Sequence, residues 1–189
     1  MSWKKRIVIA SHCLLNPFTR VHFTGRNFPL SQKLFSYLFS QGIGILQMPC
    51  PETEANGLSR LPMGRIQYDN TFYRRHCADI MRRQLQMIEE FQRKNYRIIC
   101  FLGVQGSPCC GLEWGNHRLD RRGFETGIEQ GIGQSCEVRS GGINTDVLEQ
   151  ELKKLGLTIP FLEVPIRAAH DSPVIDKFFT DLDLLIGKR

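Results

Sequence analysis

Three cysteines fall just beyond three apolar runs: Cys13 follows residues 6–10, Cys50 follows 43–48, and Cys110 follows 98–103. If those runs are strands of an open parallel sheet, their carboxyl ends line one crevice, where the ligands of such sheets bind. Thiols distant in sequence then share a pocket. Three thiolates with no evident fourth point to a metal centre with one open coordination position.

The flanking residues add chemistry. Pro49 and Pro51 restrict the backbone on either side of Cys50 and fix the direction of its thiol. Glu52, two residues on, is placed to act as an acid or base beside whatever Cys50 holds. An ordinary strand-ending turn with a surface glutamate explains this tetrapeptide equally well. In the run from Gly103 to Gly111, glycines permit close backbone approach to a ligand and Ser107 offers a hydroxyl. Cys109 and Cys110 are adjacent and cannot readily both reach one metal, so one of them is a bystander.

Cys13 sits in Ser11-His12-Cys13-Leu14-Leu15-Asn16, a context that alone reads as a small core hydrophobe. Cys77 falls on an apolar helical stripe and Cys100 inside a strand, so both read as core. Cys136 has no element to position it. His12 and His22 stand in the first loop, where a satisfied or exposed ring is the simpler reading. His76, His117 and His170 show no metal-binding spacing. Short-range zinc motifs, ferredoxin spacing and the Rossmann and P-loop fingerprints are all absent.

The elements that must position these residues alternate. Strands are expected over 6–10, 43–48, 96–102 and 158–164, and helices over 30–41, 70–94, 145–155 and from 173 onward, with Ser172 as N-cap and Pro173 at the first helical position. A polar loop is expected up to residue 69. This order predicts an α/β fold: a single-domain, doubly wound, mostly parallel sheet of the Rossmann or flavodoxin-like kind, with helices on both faces. One domain is expected over residues 1–189. The glycine-rich stretch 111–142 lacks periodicity and reads as a long loop or lid within it.

The chain has 189 residues, 41% of them apolar and 23% charged, an ordinary soluble composition with enough length to bury a core unaided. The apolar run after the basic amino terminus is too short for a signal peptide, and no run approaches the ~20 residues of a membrane span. Seven cysteines without an even, short-spaced framework indicate reduced thiols and a cytoplasmic protein with no membrane partner. The net charge of +6 is compatible with an anionic partner such as RNA. Much of it comes from Arg74, Arg75, Arg82, Arg83, Arg93 and Lys94 on one expected helix, where a solvated face is the simpler reading. No RNA-binding module accompanies them.

In Ser11-His12-Cys13-Leu14-Leu15-Asn16, Cys50-Pro51-Glu52 and Gly106-Ser107-Pro108-Cys109-Cys110-Gly111, taken in order and at these separations, the chain resembles the thiouracil desulfidase (TudS) family. It is most similar to a TudS-related branch, whose pattern also matches residues 57–64 and 67–74. The resemblance implies a [4Fe–4S] cluster held by Cys13, Cys50 and Cys110, with the fourth iron open to the sulfur of a thiolated substrate. It implies Glu52 and Ser107 as catalytic residues, and a small thiolated nucleobase or nucleoside, such as thiouracil or thiouridine, as substrate. The expected reaction removes sulfur from a thiocarbonyl and releases hydrosulfide. The chain departs from the family pattern at Asn16, where glycine is usual. It departs also at His22, in a loop that elsewhere carries an aspartate near the arginine matched by Arg20, and at Cys109, where serine is usual.

Other readings of the residues stay open at this level: a non-enzymatic iron–sulfur or sensor protein, a metal-free enzyme with Cys50 or Cys110 as nucleophile, or a zinc site. Oligomeric state is not legible in the sequence.

Overall fold

The computed structural model describes residues 5–21, 28–113, 115–118, 136–138, 141–168 and 172–187. Four strands, β1 (Arg6–Ala10), β2 (Gly44–Gln47), β3 (Arg97–Val104) and β6 (Phe161–Val164), form an all-parallel sheet in the order β2-β1-β3-β6. From β1 the chain moves outward to β2, then returns past it to β3 and on to β6. The direction of winding therefore reverses between β1 and β3, and that switch point is where a crevice opens at the carboxyl ends.

Each crossover carries helix. The helix α2 (Phe28–Ser40) joins β1 to β2, and α7 (Ile143–Lys154) precedes β6. Between β2 and β3 run α3 (Pro51–Asn56), α4 (Arg65–Tyr68), α5 (Thr71–Ile80) and α6 (Arg82–Arg93), and α8 (Pro173–Ile186) ends the described chain. On one face α2 meets α8, where the Tyr37 hydroxyl bonds Asp183 and its ring meets the Phe179 ring edge-on at 5.5 Å. Elsewhere α5 packs on α7, and α6 on β3. The fold is the doubly wound α/β arrangement read from the sequence. Val8, Ile9, Ala10, Phe101 and Leu102 are fully buried, as strands covered on both faces require.

Two expectations shift. The helix expected over 70–94 is two helices, interrupted at Met81, where ψ relaxes to −2°. An unbroken helix of that length would run about 36 Å, against about 26 Å for an eight-residue strand such as β3. The interruption separates α5, which packs on α7, from α6, which packs on the sheet. The polar loop expected before residue 69 contains α3 and α4, both too short to show helical periodicity.

Two short strands, β4 (Gly115–Arg118) and β5 (Cys136–Val138), pair antiparallel. Most of the 111–142 segment expected as a loop or lid, together with His22 and His170, lies outside the described residues, as do the side chains of His117 and Cys136. No helix among the described residues is long and apolar enough to cross a membrane.

Candidate functional site

Cys13 lies on a single helical turn, α1 (His12–Leu15), directly after β1. Ser11 ties that turn to the neighbouring strand: its N–H and its Oγ both donate to the Leu102 carbonyl, at 3.1 and 3.0 Å. Cys50 caps α3, with Pro51 in the first helical position, where a missing N–H costs nothing. Glu52 follows in the same first turn.

Cys110 ends a loop that folds back on β3, its carbonyl accepting the Val104 N–H at 2.8 Å. Ser107 organises the turn: its Oγ accepts the backbone N–H groups of Cys109 and Cys110 at 3.2 and 2.9 Å. Gly106 has φ +74°, a left-handed backbone conformation that favours glycine, and the Arg167 guanidinium lies against the space a Cβ would take. The amino end of α7 docks on the same turn. Ile143 and Asn144 donate their N–H groups to the carbonyls of Pro108 and Cys109 at 3.2 and 2.9 Å.

These three turns bring Cys13, Cys50 and Cys110 within electrostatic reach of one another at the carboxyl rim of β1, β2 and β3. Burial pushes the Cys13 thiol up to about 12, with Arg20 opposing and the other two cysteines adding. Burial also raises Cys50, against the nearby Thr53. Cys110 is raised by hydrogen bonding with Cys109 and by burial, with Ser11 opposing. Thiols held protonated in this way are poor nucleophiles until a cation draws the proton off. Cys109 has no exposed surface; its Sγ faces the Tyr73 hydroxyl at 3.3 Å and lies beside Cys77, in the packed interior.

Glu52 stands beside this group, close enough for its charge to act on Cys50, Cys109 and Cys110. Burial raises its carboxyl, while Arg60 and, less strongly, Tyr68 pull it down. Arg60 reaches Oε2 with Nε at 3.2 Å and Nη2 at 3.1 Å. The same guanidinium binds the Thr53 hydroxyl and the carbonyls of Gly57 and Thr19, locking α3 to the turn after β1. His76 bonds the Pro51 carbonyl at 3.2 Å and fixes the same helix start from α5.

Further groups surround the thiols. Arg20 donates through Nη2 to the Cys13 carbonyl at 2.9 Å, and its Nε and Nη1 are buried without a hydrogen bond. Asn144, almost fully buried, directs Nδ2 at Cys110 Sγ at 3.7 Å. Sequence reasoning assigned no role to Arg60, Tyr68, Tyr73 or Asn144. Arg60 and Tyr68 do lie in or beside the family-like stretches 57–64 and 67–74. Asn144 carried no signal, because its only link to the site is the docking of a helix from beyond residue 141.

Three soft thiols with backbone and amide N–H groups beside them are of the kind that could hold an iron–sulfur cluster. Among the described residues no three His, Cys, Asp or Glu side chains gather closely enough to hold one metal ion. In a cluster each cysteine binds its own iron, so its sulfurs stand farther apart than around a lone metal. Soft thiolates with adjacent N–H donors are the usual setting for such a group.

Comparison with known proteins covers the same region. An uncharacterized protein, MJ0003 of Methanocaldococcus jannaschii, is 30% identical over 108 residues, which span 57% of this chain and 69% of the relative. No solved structure matches. A family model matches residues 5–118, a stretch that contains Cys13, Cys50, Glu52, Ser107 and Cys110. Because that match covers more than half of the chain, the protein belongs to the family described as "Putative 2-thiouracil desulfurase".

Proposed function

We propose that this protein is an iron–sulfur-dependent desulfidase that hydrolyses a thiocarbonyl, such as that of a thiolated pyrimidine, to a carbonyl and hydrosulfide. The observation that carries the proposal is three thiols from three strand ends, within reach of one another and beside one largely buried carboxylate. Cys13, Cys50 and Cys110 would hold a [4Fe–4S] cluster with one iron lacking a cysteine. When bound, that cluster supplies a thiophilic Lewis acid for the substrate sulfur.

The chain's own residues supply the rest. Glu52 takes a proton from the water that adds to the thiocarbonyl carbon, and returns it as the carbon–sulfur bond breaks. Water adds and hydrosulfide departs, with no electrons transferred. Arg60 binds Oε2 and not Oε1, so it leaves Oε1 to that water. Ser107 uses its oxygen lone pairs on the Cys109 and Cys110 N–H groups, which leaves its own proton to donate to a ring heteroatom of the substrate. The raised thiols speak against a metal-free cysteine nucleophile.

A small base or nucleoside is the substrate we favour over RNA. On α5 and α6, Arg74 is paired with Asp69 and Asp146, Arg82 with Asp79, and Arg93 with Glu90, which leaves a weaker basic surface than the composition suggests. We place the reaction in one domain spanning the chain and in the cytoplasm, where thiols stay reduced.

The test is anaerobic, cluster-reconstituted protein incubated with 2-thiouracil, 2-thiouridine and 4-thiouridine. The thione absorbance is followed together with hydrosulfide release. Equimolar loss of thione and gain of hydrosulfide on at least one of them is expected; cluster-loaded protein that releases none from any would overturn the proposal.

A further inference from the structure

Tyr68 ends α4 and has 1% of its surface exposed, and its hydroxyl meets no partner at ordinary hydrogen-bonding geometry, although Glu52 is within its reach. A buried, unpartnered hydroxyl costs about 1–3 kcal/mol, and a phenylalanine would fill the same space without that cost. The hydroxyl is shut off from the surface, and the segment that carries it is held on several sides. Gln67 caps the start of α4 by accepting the Gly64 N–H at 2.6 Å. Arg65 anchors the helix to Asp69, to Asp146 and to the Gly141 carbonyl, at 2.8, 2.7 and 2.7 Å. The ring itself packs on Tyr73 with centroids 4.5 Å apart.

What the hydroxyl faces is Glu52. The two groups are close enough for each to act on the other's ionisation, and Cys109 lies within reach of the same phenol. The stacked tyrosines thus serve two parts of one site: Tyr73 directs its oxygen at Cys109 Sγ, and Tyr68 directs its oxygen toward the carboxylate. Burial and the charge of Glu52 keep the Tyr68 phenol protonated throughout the working pH range, so it is a permanent donor.

We propose that Tyr68 is a positioning residue for Glu52, its buried hydroxyl donating to the carboxylate that Arg60 grips at Oε2. Arg60 alone fixes one oxygen and leaves the carboxylate free to swing about it. A second donor of fixed position removes that freedom and orients Oε1 for the water it deprotonates. Tyr68 touches neither substrate nor cluster in this scheme and acts only through Glu52. The inference rests on the proposed role of Glu52 as base.

The test compares Tyr68→Phe with wild type in the cluster-loaded protein. The ring and its stacking on Tyr73 are retained, so the variant should fold and carry the iron content of wild type. The kcat for thione hydrolysis should fall roughly 10- to 100-fold, the worth of one hydrogen bond to a charged group, with KM within about twofold. In a Glu52→Gln background the same substitution should remove less than about twofold more. A kcat near that of wild type, or an equal loss in both backgrounds, would overturn the inference. One readout needs no turnover: the Glu52 carboxylate band, isolated as the infrared difference between wild type and Glu52→Gln, should shift in Tyr68→Phe. If the wild type hydrolyses no thione, the proposed reaction fails and this band alone judges Tyr68; an unmoved band rejects the pairing.

Discussion

Arg60 and Glu52 form an ion pair, Nη2 to Oε2 at 3.1 Å, in which the arginine side chain is only 4% exposed and the glutamate 14%. The arginine also binds Thr53 and the C-cap Gly57 of the helix that carries Glu52, and the Thr19 carbonyl of the turn beyond Cys13. One side chain therefore both holds the proposed base and ties the turn that follows the Cys13 segment to the helix begun by Cys50.

Arg60→Ala leaves a desolvated carboxylate without its partner. Removing one member of a buried pair costs about 3–5 kcal/mol; with Glu52 partly open to solvent, a loss of about 3 kcal/mol is expected. Urea unfolding measures it. Arg60→Ala combined with Glu52→Gln should recover much of that stability, since the orphaned charge is gone. A loss below about 1 kcal/mol in the single variant would show that the pair is not a structural clamp.

Asn144→Ala removes the amide aimed at Cys110 Sγ while keeping the backbone N–H that caps the Cys109 carbonyl. Hydrogen bonds to ligand sulfur favour the reduced, more negative state of a cluster. The midpoint potential of the reconstituted protein should therefore fall, by on the order of 30–60 mV. Protein-film voltammetry reads it. An unchanged potential would place Asn144 outside the cluster's surroundings.

How far these residues were visible beforehand follows from what sequence patterns encode. Strand β1 matches its expected span because an apolar run bounded by Arg6 and Ser11 is a local signal. Cys13, Cys50 and Cys110 could be grouped because parallel topology alone sends strand ends to one rim. Arg60 and Asn144 could not. Arg60 reaches the Thr19 carbonyl across 41 positions, and Asn144 reaches Cys110 across 34, and no periodicity marks such contacts. The interruption at Met81 was hidden for a different reason: the apolar stripe runs through it, and only the different partners of α5 and α6 mark the break. Ser107 was singled out for its hydroxyl, yet its acceptor role toward Cys109 and Cys110 depends on the loop's closure back onto Val104.

Acid should weaken the junction of α4, α5 and α7. Burial pushes the Asp69 carboxyl up, but hydrogen bonds and charge from Arg74 and Arg65 outweigh it and hold the group below its ordinary range. A depressed folded value means that the stabilisation is complete above the unfolded value of about 3.9 and is lost as pH falls through the lower folded value. The stability gap between wild type and Asp69→Asn should thus be constant near neutrality and close as the pH falls below about 4. Denaturant unfolding at pH 7, 5 and 3 gives the comparison; a gap that widens in acid would contradict the assignment.

The central claim is that Cys13, Cys50 and Cys110 share one cluster, and counting iron and acid-labile sulfide in anaerobically prepared protein tests it most directly. Wild type and Cys109→Ser should carry about four irons and four sulfides per chain, while Cys13→Ala, Cys50→Ala and Cys110→Ala should each lose most of both. Iron-free wild-type protein after reconstitution, or full iron and sulfide in any one of those three variants, would contradict it.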